Sequence, residues 1–178
     1  VTEAVGGRWP SRRARPEDAG ALARFGERTF RHTFSPDNSA ADMDAYCADA
    51  FGEALQRAEI EDPLLVTRLV ETEGRIVGYA QFGPGPEPES VVERPAWELR
   101  RLYVEPDLKG AGLARALMDE VIAEAAQGGA AALWLGVWER NPRAIRFYEK
   151  SGFSVAGDHV FQLGSDPQRD LIMVRRLD

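Results

Sequence analysis

From Leu102 to Met118 the chain leaves room for one local structure: a strand, a glycine-containing turn and the start of a helix. Pro106 offers no ladder donor and biases Glu105 away from helix, so Val104-Glu105-Pro106 closes an extended run. Gly110 and Gly112 can take backbone angles that other residues resist, and they let a ligand approach the main chain. From Leu113 the apolar residues Leu113, Ala114, Leu117, Met118, Val121, Ile122 and Ala125 recur on one helical face. A helix that starts after such a loop points unpaired N–H groups at one spot, and its dipole favours an anion there. Lys109 and Arg115 add formal positive charge. The stretch is therefore expected to form a phosphate or pyrophosphate site; a plain strand-to-helix connection is the alternative. Two common phosphate loops are excluded. The dinucleotide fingerprint needs a glycine where Arg115 stands, and the nucleotide P-loop needs a closing Gly-Lys-Ser/Thr that is absent.

At 178 residues, with 44% hydrophobic and 29% charged residues, the sequence fits one globular domain spanning residues 1–178. Twenty-nine acidic against 22 basic residues give a net charge of −7, which argues against nucleic acid as a partner. The same charge suits a cationic substrate such as a polyamine. No apolar run approaches the roughly 18 residues that span a bilayer, so no membrane association is expected. Val1 to Gly7 reads as a loose segment without the features of a secretion signal. The single Cys47 suits a reducing cytoplasm. His32 and His159 lack metal-ligand spacing, and no metal is expected.

In chain order, Arg8 to Ala14 reads as a short strand, and a helix opens at Pro16-Glu17-Asp18 and runs to about Phe34. A break at Ser35–Ser39 precedes a second helix from about Ala40 to Ala58. Leu64–Val70 and Arg75–Phe82 form a hairpin, and Gly83–Pro95 a flexible loop. Trp97–Val104 is the strand before the phosphate loop. Gly128-Gly129 ends the loop helix. Ala131–Val137, Phe153–Leu163 and Asp170–Arg176 are strands, with a helix from about Pro142 to Lys150. That order belongs to one mixed α/β sheet with helices on both faces. Exposed edge strands leave a homodimer open.

Lys109-Gly110-Ala111-Gly112-Leu113-Ala114 resembles the Gln/Arg-x-x-Gly-x-Gly/Ala signature of the GNAT (GCN5-related) N-acetyltransferases, with Lys109 in the first position. Asn141-Pro142-Arg143-Ala144-Ile145-Arg146-Phe147-Tyr148-Glu149-Lys150-Ser151-Gly152-Phe153 resembles a second signature of that family. Thr29–Phe34 and Trp134–Asn141 look like the PaiA-type spermidine/spermine acetyltransferases. The resemblance implies a mostly antiparallel GNAT acyl-CoA N-acyltransferase fold in which the strands Trp97–Val104 and Ala131–Val137 splay apart around acetyl-CoA. It implies transfer of the acetyl group to a primary amine, with a polyamine such as spermidine as acceptor. A peptide or protein amine is the alternative acceptor. A CoA-binding sensor or interaction module is the reading outside enzymes.

By the same resemblance, Lys109, Gly110, Ala111, Gly112, Leu113, Ala114 and Arg115 would bind the pyrophosphate. The main chain of Leu102, Tyr103 and Val104 would pair with the pantetheine arm, and Asn141 would contact CoA. Tyr148 matches the residue that protonates the departing thiolate. Glu98 matches a general-base position and, by simple alternation, shares a strand face with Arg100, Leu102 and Val104. A surface glutamate paired with Arg100 or Arg101 is the alternative for Glu98. Trp138 and Glu139 are candidates to meet the amine, and an exposed strand-end pair is equally open. Asp37, Asp42, Asp44 and Asp49 read as a solvated helix face, some of which could meet a polyamine.

Overall fold

The computed structural model describes residues 9–177. The loose segment expected at Val1–Gly7, and Arg8 of the first expected strand, lie outside the described residues. Seven strands form one sheet in the order β1-β2-β3-β4-β5-β7-β6. They are β1 (Ser11–Arg13), β2 (Val66–Thr72), β3 (Arg75–Pro84), β4 (Ala96–Val104), β5 (Ala132–Trp138), β6 (Ser154–Leu163) and β7 (Asp166–Arg176). All neighbours run antiparallel except β4 and β5, which are parallel. This is the mixed sheet that the element order predicts, mostly antiparallel as the family resemblance implies.

Helices α1 (Ala19–Phe34), α2 (Ala40–Ala50) and α3 (Glu53–Glu61) precede β2; α4 (Leu113–Gln127) follows β4, and α5 (Pro142–Lys150) follows β5. The apolar stripe of α4, with Leu113, Leu117, Met118, Val121 and Ala125 buried, packs on Ala80, Phe82, Leu99, Leu133 and Leu135. On the opposite face Leu22 and Phe25 of α1 meet Leu69, Ile76 and Tyr79. Phe30 joins Met43, Cys47, Phe51 and Leu163 in an aromatic-rich cluster there. Both faces of the central strands are thus buried by side chains spaced for helices, as expected for an α/β sheet.

Three local expectations need correction. The single helix over Ala40–Ala58 is two helices. Gly52 is extended (ψ 144) and ends the first, and the buried Gln56 amide of the second donates to the Ala50 carbonyl at 3.1 Å. Leu55 of the second helix is exposed. The Gly83–Pro95 loop starts later, because Gly83 and Pro84 belong to β3. Its Val91 is fully buried against Ala96, Ala132, Trp134, Ile172 and Val174, so the loop is anchored at its middle. Finally, β4 does not alternate regularly. Arg101 pairs with Gln81 but Leu99 pairs with Phe82, so Arg100 is an extra residue in the strand. That bulge moves Glu98 onto the face of Arg101 and Tyr103, away from Leu102 and Val104.

Candidate active site

β4 and β5 pair through only three positions: Ala96–Ala132, Trp97–Leu133 and Glu98–Trp134. Beyond them β4 continues to Val104 and β5 to Trp138, and the two part around a cleft of about 370 Å3. Leu99–Val104 line one wall and Gly136–Trp138 the other. The edge of β4 that turns toward β5 there has no strand partner among the described residues, so its main chain is free to pair with an extended ligand.

At one end of the cleft the turn after β4 delivers Lys109, Gly110 and Ala114 to the lining. Gly110 and Gly112 have φ of 91° and 87°, the left-handed region that glycine tolerates. Among the described residues, a Cβ at either would meet nothing within 4 Å beyond its own chain neighbours, so none of them fills the space above the turn. Gly112 caps α4 without any side-chain hydrogen bond, and the first helical bond runs from the Ala116 N–H to the Gly112 carbonyl. The N–H groups of Leu113, Ala114 and Arg115 therefore have no partner within the helix. By contrast, the Asn141 Oδ1 accepts the Ala144 N–H at the start of α5, and Ser39 caps α2 in the same way. Trp9 holds the turn from outside by donating its indole N–H to the Ala111 carbonyl at 3.1 Å.

Lys109 is partly desolvated, and burial, then the nearby Arg143, pulls its ammonium below the ordinary value. Arg143 also lines the cleft, so two cations stand at this end. Sequence reasoning missed Arg143, although it lies inside the motif that singled out Asn141. Arg115 is instead turned outward, paired with Asp119 at 2.8 Å, and Leu113 is buried in the core beneath Gly78. Both offer a main-chain N–H rather than a side chain.

The middle of the cleft is flanked by Leu102, Tyr103, Val104, Asn141 and Tyr148. Burial pushes the Tyr148 phenol up to about 12, so it keeps its proton through the neutral range. The far end is aromatic. Phe30 lies 4.5 Å from Phe34 and 4.7 Å from Tyr46, Phe34 meets Trp138 edge-on at 6.0 Å, and Tyr46 meets Phe161 at 5.3 Å, all between ring centroids.

Of the acidic residues considered from sequence, none lines this cleft. Glu98 sits beside it, 3.4 Å from the Arg100 guanidinium, and desolvation raises its carboxyl against the lowering pull of Arg100. Glu139 pairs with Arg169 at 3.1 Å. Asp42 accepts hydrogen bonds from the Ser165 N–H and hydroxyl, Asp44 pairs with Arg31, and Asp37 and Asp49 point to solvent. The carboxylate that does line the cleft is Asp170 of β7, which the sequence did not reveal. It is only 8% exposed, and burial pushes it up to about 6. No local motif surrounds it; register alone brings it in, opposite Trp138 of β5 and His159 of β6.

Among the described residues no group of three or more His, Cys, Asp or Glu is placed to hold a metal ion, and no helix is long and apolar enough to cross a membrane.

A strand pair that parts beside an uncapped glycine turn is what the sequence signatures implied, and comparison with known proteins agrees. Residues 27–153 match the model of the acetyltransferase (GNAT) family. The chain belongs to the GNAT acetyltransferase family. It is 39% identical over 165 residues to an uncharacterised N-acetyltransferase of Mycobacterium tuberculosis, covering 90% of this chain and 98% of that protein. An uncharacterised N-acetyltransferase of Lactobacillus delbrueckii subsp. lactis is 30% identical over 149 residues, 84% of this chain and 86% of the relative. Among solved structures, PaiA N-acetyltransferase from Thermoplasma acidophilum, determined in complex with coenzyme A, superposes with a TM-score of 0.78. The match covers 96% of this chain and 99% of that one at 18% identity, a likeness of fold. For this GNAT member the two sequence signatures thus lie on the turn before α4 and on α5, at the two sides of one cleft.

Proposed function

We propose that the protein transfers the acetyl group of acetyl-CoA directly to a primary amine. The observation that carries this reading is the uncapped, open N-terminus of α4, continuous with the gap between β4 and β5. An anion fits there on the chemistry present: unpartnered N–H groups at a helix start, with Lys109 and Arg143 beside them. Acetyl-CoA would supply the activated acyl group and a thiolate leaving group. Gly110 and residues 112–115 would hold its pyrophosphate through main-chain N–H groups, the Ala111 N–H being donated to the Leu108 carbonyl, and the free edge of Leu102–Val104 would pair with its pantetheine arm. Asn141, its Oδ1 already engaged in capping α5, keeps its amide N–H groups for the same ligand. Tyr148, neutral across the physiological range, is the proton donor for the sulfur. Most of the rate enhancement would come from holding amine and thioester together, a contribution of about 7 kcal/mol or more in well-oriented cases.

A polyamine acceptor such as spermidine is the second reading, favoured by the resemblance of Thr29–Phe34 and Trp134–Asn141 to the PaiA-type enzymes and by the net charge of −7. Release of free thiol from acetyl-CoA tests the proposal, with calorimetric titration of acetyl-CoA alongside. Acetyl-CoA binding together with amine-dependent thiol release is expected. Failure to bind acetyl-CoA would overturn the reading.

A further inference from the structure

The acceptor half of the cleft is built around a carboxylate that no structural partner explains. Asp170 is more than nine-tenths buried and lines the cavity, yet its Oδ1 has no hydrogen-bond partner among the described residues. A buried carboxylate without partners is costly, and such groups mark places where a ligand completes the bonding. Its Oδ2 stands 4.0 Å from His159 Nε2, and the His159 side chain is 40% exposed. Gly136 keeps this pair accessible: a Cβ there would lie 3.4 Å from Asp170 Oδ2 and 3.1 Å from His159 Nε2. Among the lining residues Asp170 is the one anion, against Arg100, Arg101, Lys109 and Arg143. The other walls around it are the rings of Phe30, Phe34, Tyr46, Trp138 and Phe161.

We propose that Asp170 receives the acceptor's ammonium and takes its proton, that His159 relays that proton to solvent, and that the acceptor is a small amine bearing one ammonium on an apolar body. This deepens the acetyl-transfer reading and rests on it. One N–H bond of the ammonium breaks as an O–H bond forms on Asp170, freeing the nitrogen lone pair to attack the thioester carbonyl. The proton passes from Asp170 across one bridging water to His159, 4.0 Å away, and from there to solvent. As the C–S bond breaks, its electrons leave on sulfur, which takes a proton from Tyr148. The second nitrogen proton restores Tyr148, so one proton is released per turnover. The charged and titratable groups facing Asp170 are His159 from β6 and the Tyr46 phenol from α2. A carboxyl pushed up to about 6 by burial is a stronger base than an exposed aspartate and is still ionised near neutrality. The rings hold an apolar body and the face of one cation. A second ammonium would find no second carboxylate in the lining.

The test compares 2-phenylethylamine with spermidine on the wild-type protein, Asp170→Asn and Glu98→Gln, from pH 5 to 9. Calorimetric titration of acetyl-CoA and thermal melting accompany each variant. Wild-type kcat/KM is expected to be at least about 10-fold higher for 2-phenylethylamine than for spermidine, with an acid limb near pH 6. Asp170→Asn should lose about 100-fold or more in kcat/KM and lose that limb, while acetyl-CoA affinity stays within about twofold. Should Asp170→Asn fail to fold, Asp170→Glu serves instead and should keep the acid limb at reduced kcat. Retained activity in Asp170→Asn, or loss of the limb in Glu98→Gln alone, would overturn the role of Asp170. Preference for spermidine, or no turnover of 2-phenylethylamine by protein that binds acetyl-CoA, would overturn the acceptor class. Absence of acetyl-CoA binding by the wild type would strike the parent reading instead.

Discussion

Tyr148 and Asp170 face one cleft in opposite protonation states at neutral pH, and the same force sets both. Desolvation lifts the phenol up to about 12, which keeps its proton, and the carboxyl up to about 6, which has lost it by pH 7. Both are raised, yet they stay on opposite sides of the working pH and so can serve as an acid and a base. Tyr148→Phe should lower kcat about 10- to 100-fold in single-turnover thiol release, with acetyl-CoA affinity within about twofold in titration. Asp170 also carries a stability signature. Its folded value lies above the ordinary carboxylate value of 3.8, so the folded state binds more protons between about pH 4 and pH 6. The group's favourable share of stability is complete below pH 4 and is lost as pH rises through 6, where a charge must be buried. Asp170→Asn should therefore raise the melting temperature at pH 8, by the equivalent of about 1–3 kcal/mol, and leave it nearly unchanged at pH 4. An equal gain at both pH values would show that the carboxylate is not charged and buried in the native protein.

The turn between β4 and α4 is where an element can be broken without touching the core. Gly112→Val places a β-branched side chain at φ 87°, costing about 1–2 kcal/mol in backbone strain, and fills the open space above the helix start. A fall of at least about 10-fold in acetyl-CoA affinity by calorimetry is expected, with a melting point lower by about 2–8 °C. This element was legible in the sequence because Pro106, Gly110 and Gly112 punctuate it locally, and α5 was legible through its motif. The bulge at Arg100 was not. It shows only in the pairing of β4 with β3, and it reverses the face assigned to Glu98. Asp170 was hidden for a related reason: its place beside Trp138 comes from β5–β7 register across some thirty intervening residues, and no short-range pattern encodes that. Gly83 marks the same limit. Its composition suggested a loop, yet it sits in β3 where a Cβ would come 2.2 Å from the Leu64 carbonyl oxygen. Gly83→Ala must displace that backbone and should cost about 2–3 kcal/mol in denaturant unfolding.

At the scale of the whole molecule the cleft depends on α3, a helix that supplies none of its lining. Arg101 of β4 lines the cleft, and its guanidinium donates to Glu59 of α3 at 2.6 Å, to the Gln81 amide oxygen at 2.9 Å and to the Ala50 carbonyl at 3.3 Å. Both ionic side chains are largely buried, 13% and 15% exposed. The contact ties the N-terminal helices to the central sheet and neutralises a positive charge that would otherwise confront an incoming ammonium. Removing one partner of such a pair strands the other, so Glu59→Leu should cost about 3 kcal/mol, or roughly 6–12 °C in melting temperature. Replacing both, Glu59→Leu with Arg101→Met, should recover much of that loss, because two buried apolar groups need no counter-ion. The functional consequence separates from the structural one. Glu59→Leu should raise the acceptor's KM more than the double variant does, since Arg101 then stands uncompensated in the wall, while acetyl-CoA affinity is the same in both. Denaturant unfolding of the four proteins in the cycle measures the coupling directly. If the two substitutions add, the two side chains are not coupled and the ion pair contributes nothing to stability. If the stability returns but the raised KM persists in the double variant, the guanidinium itself, and not its unpaired charge, shapes the acceptor site.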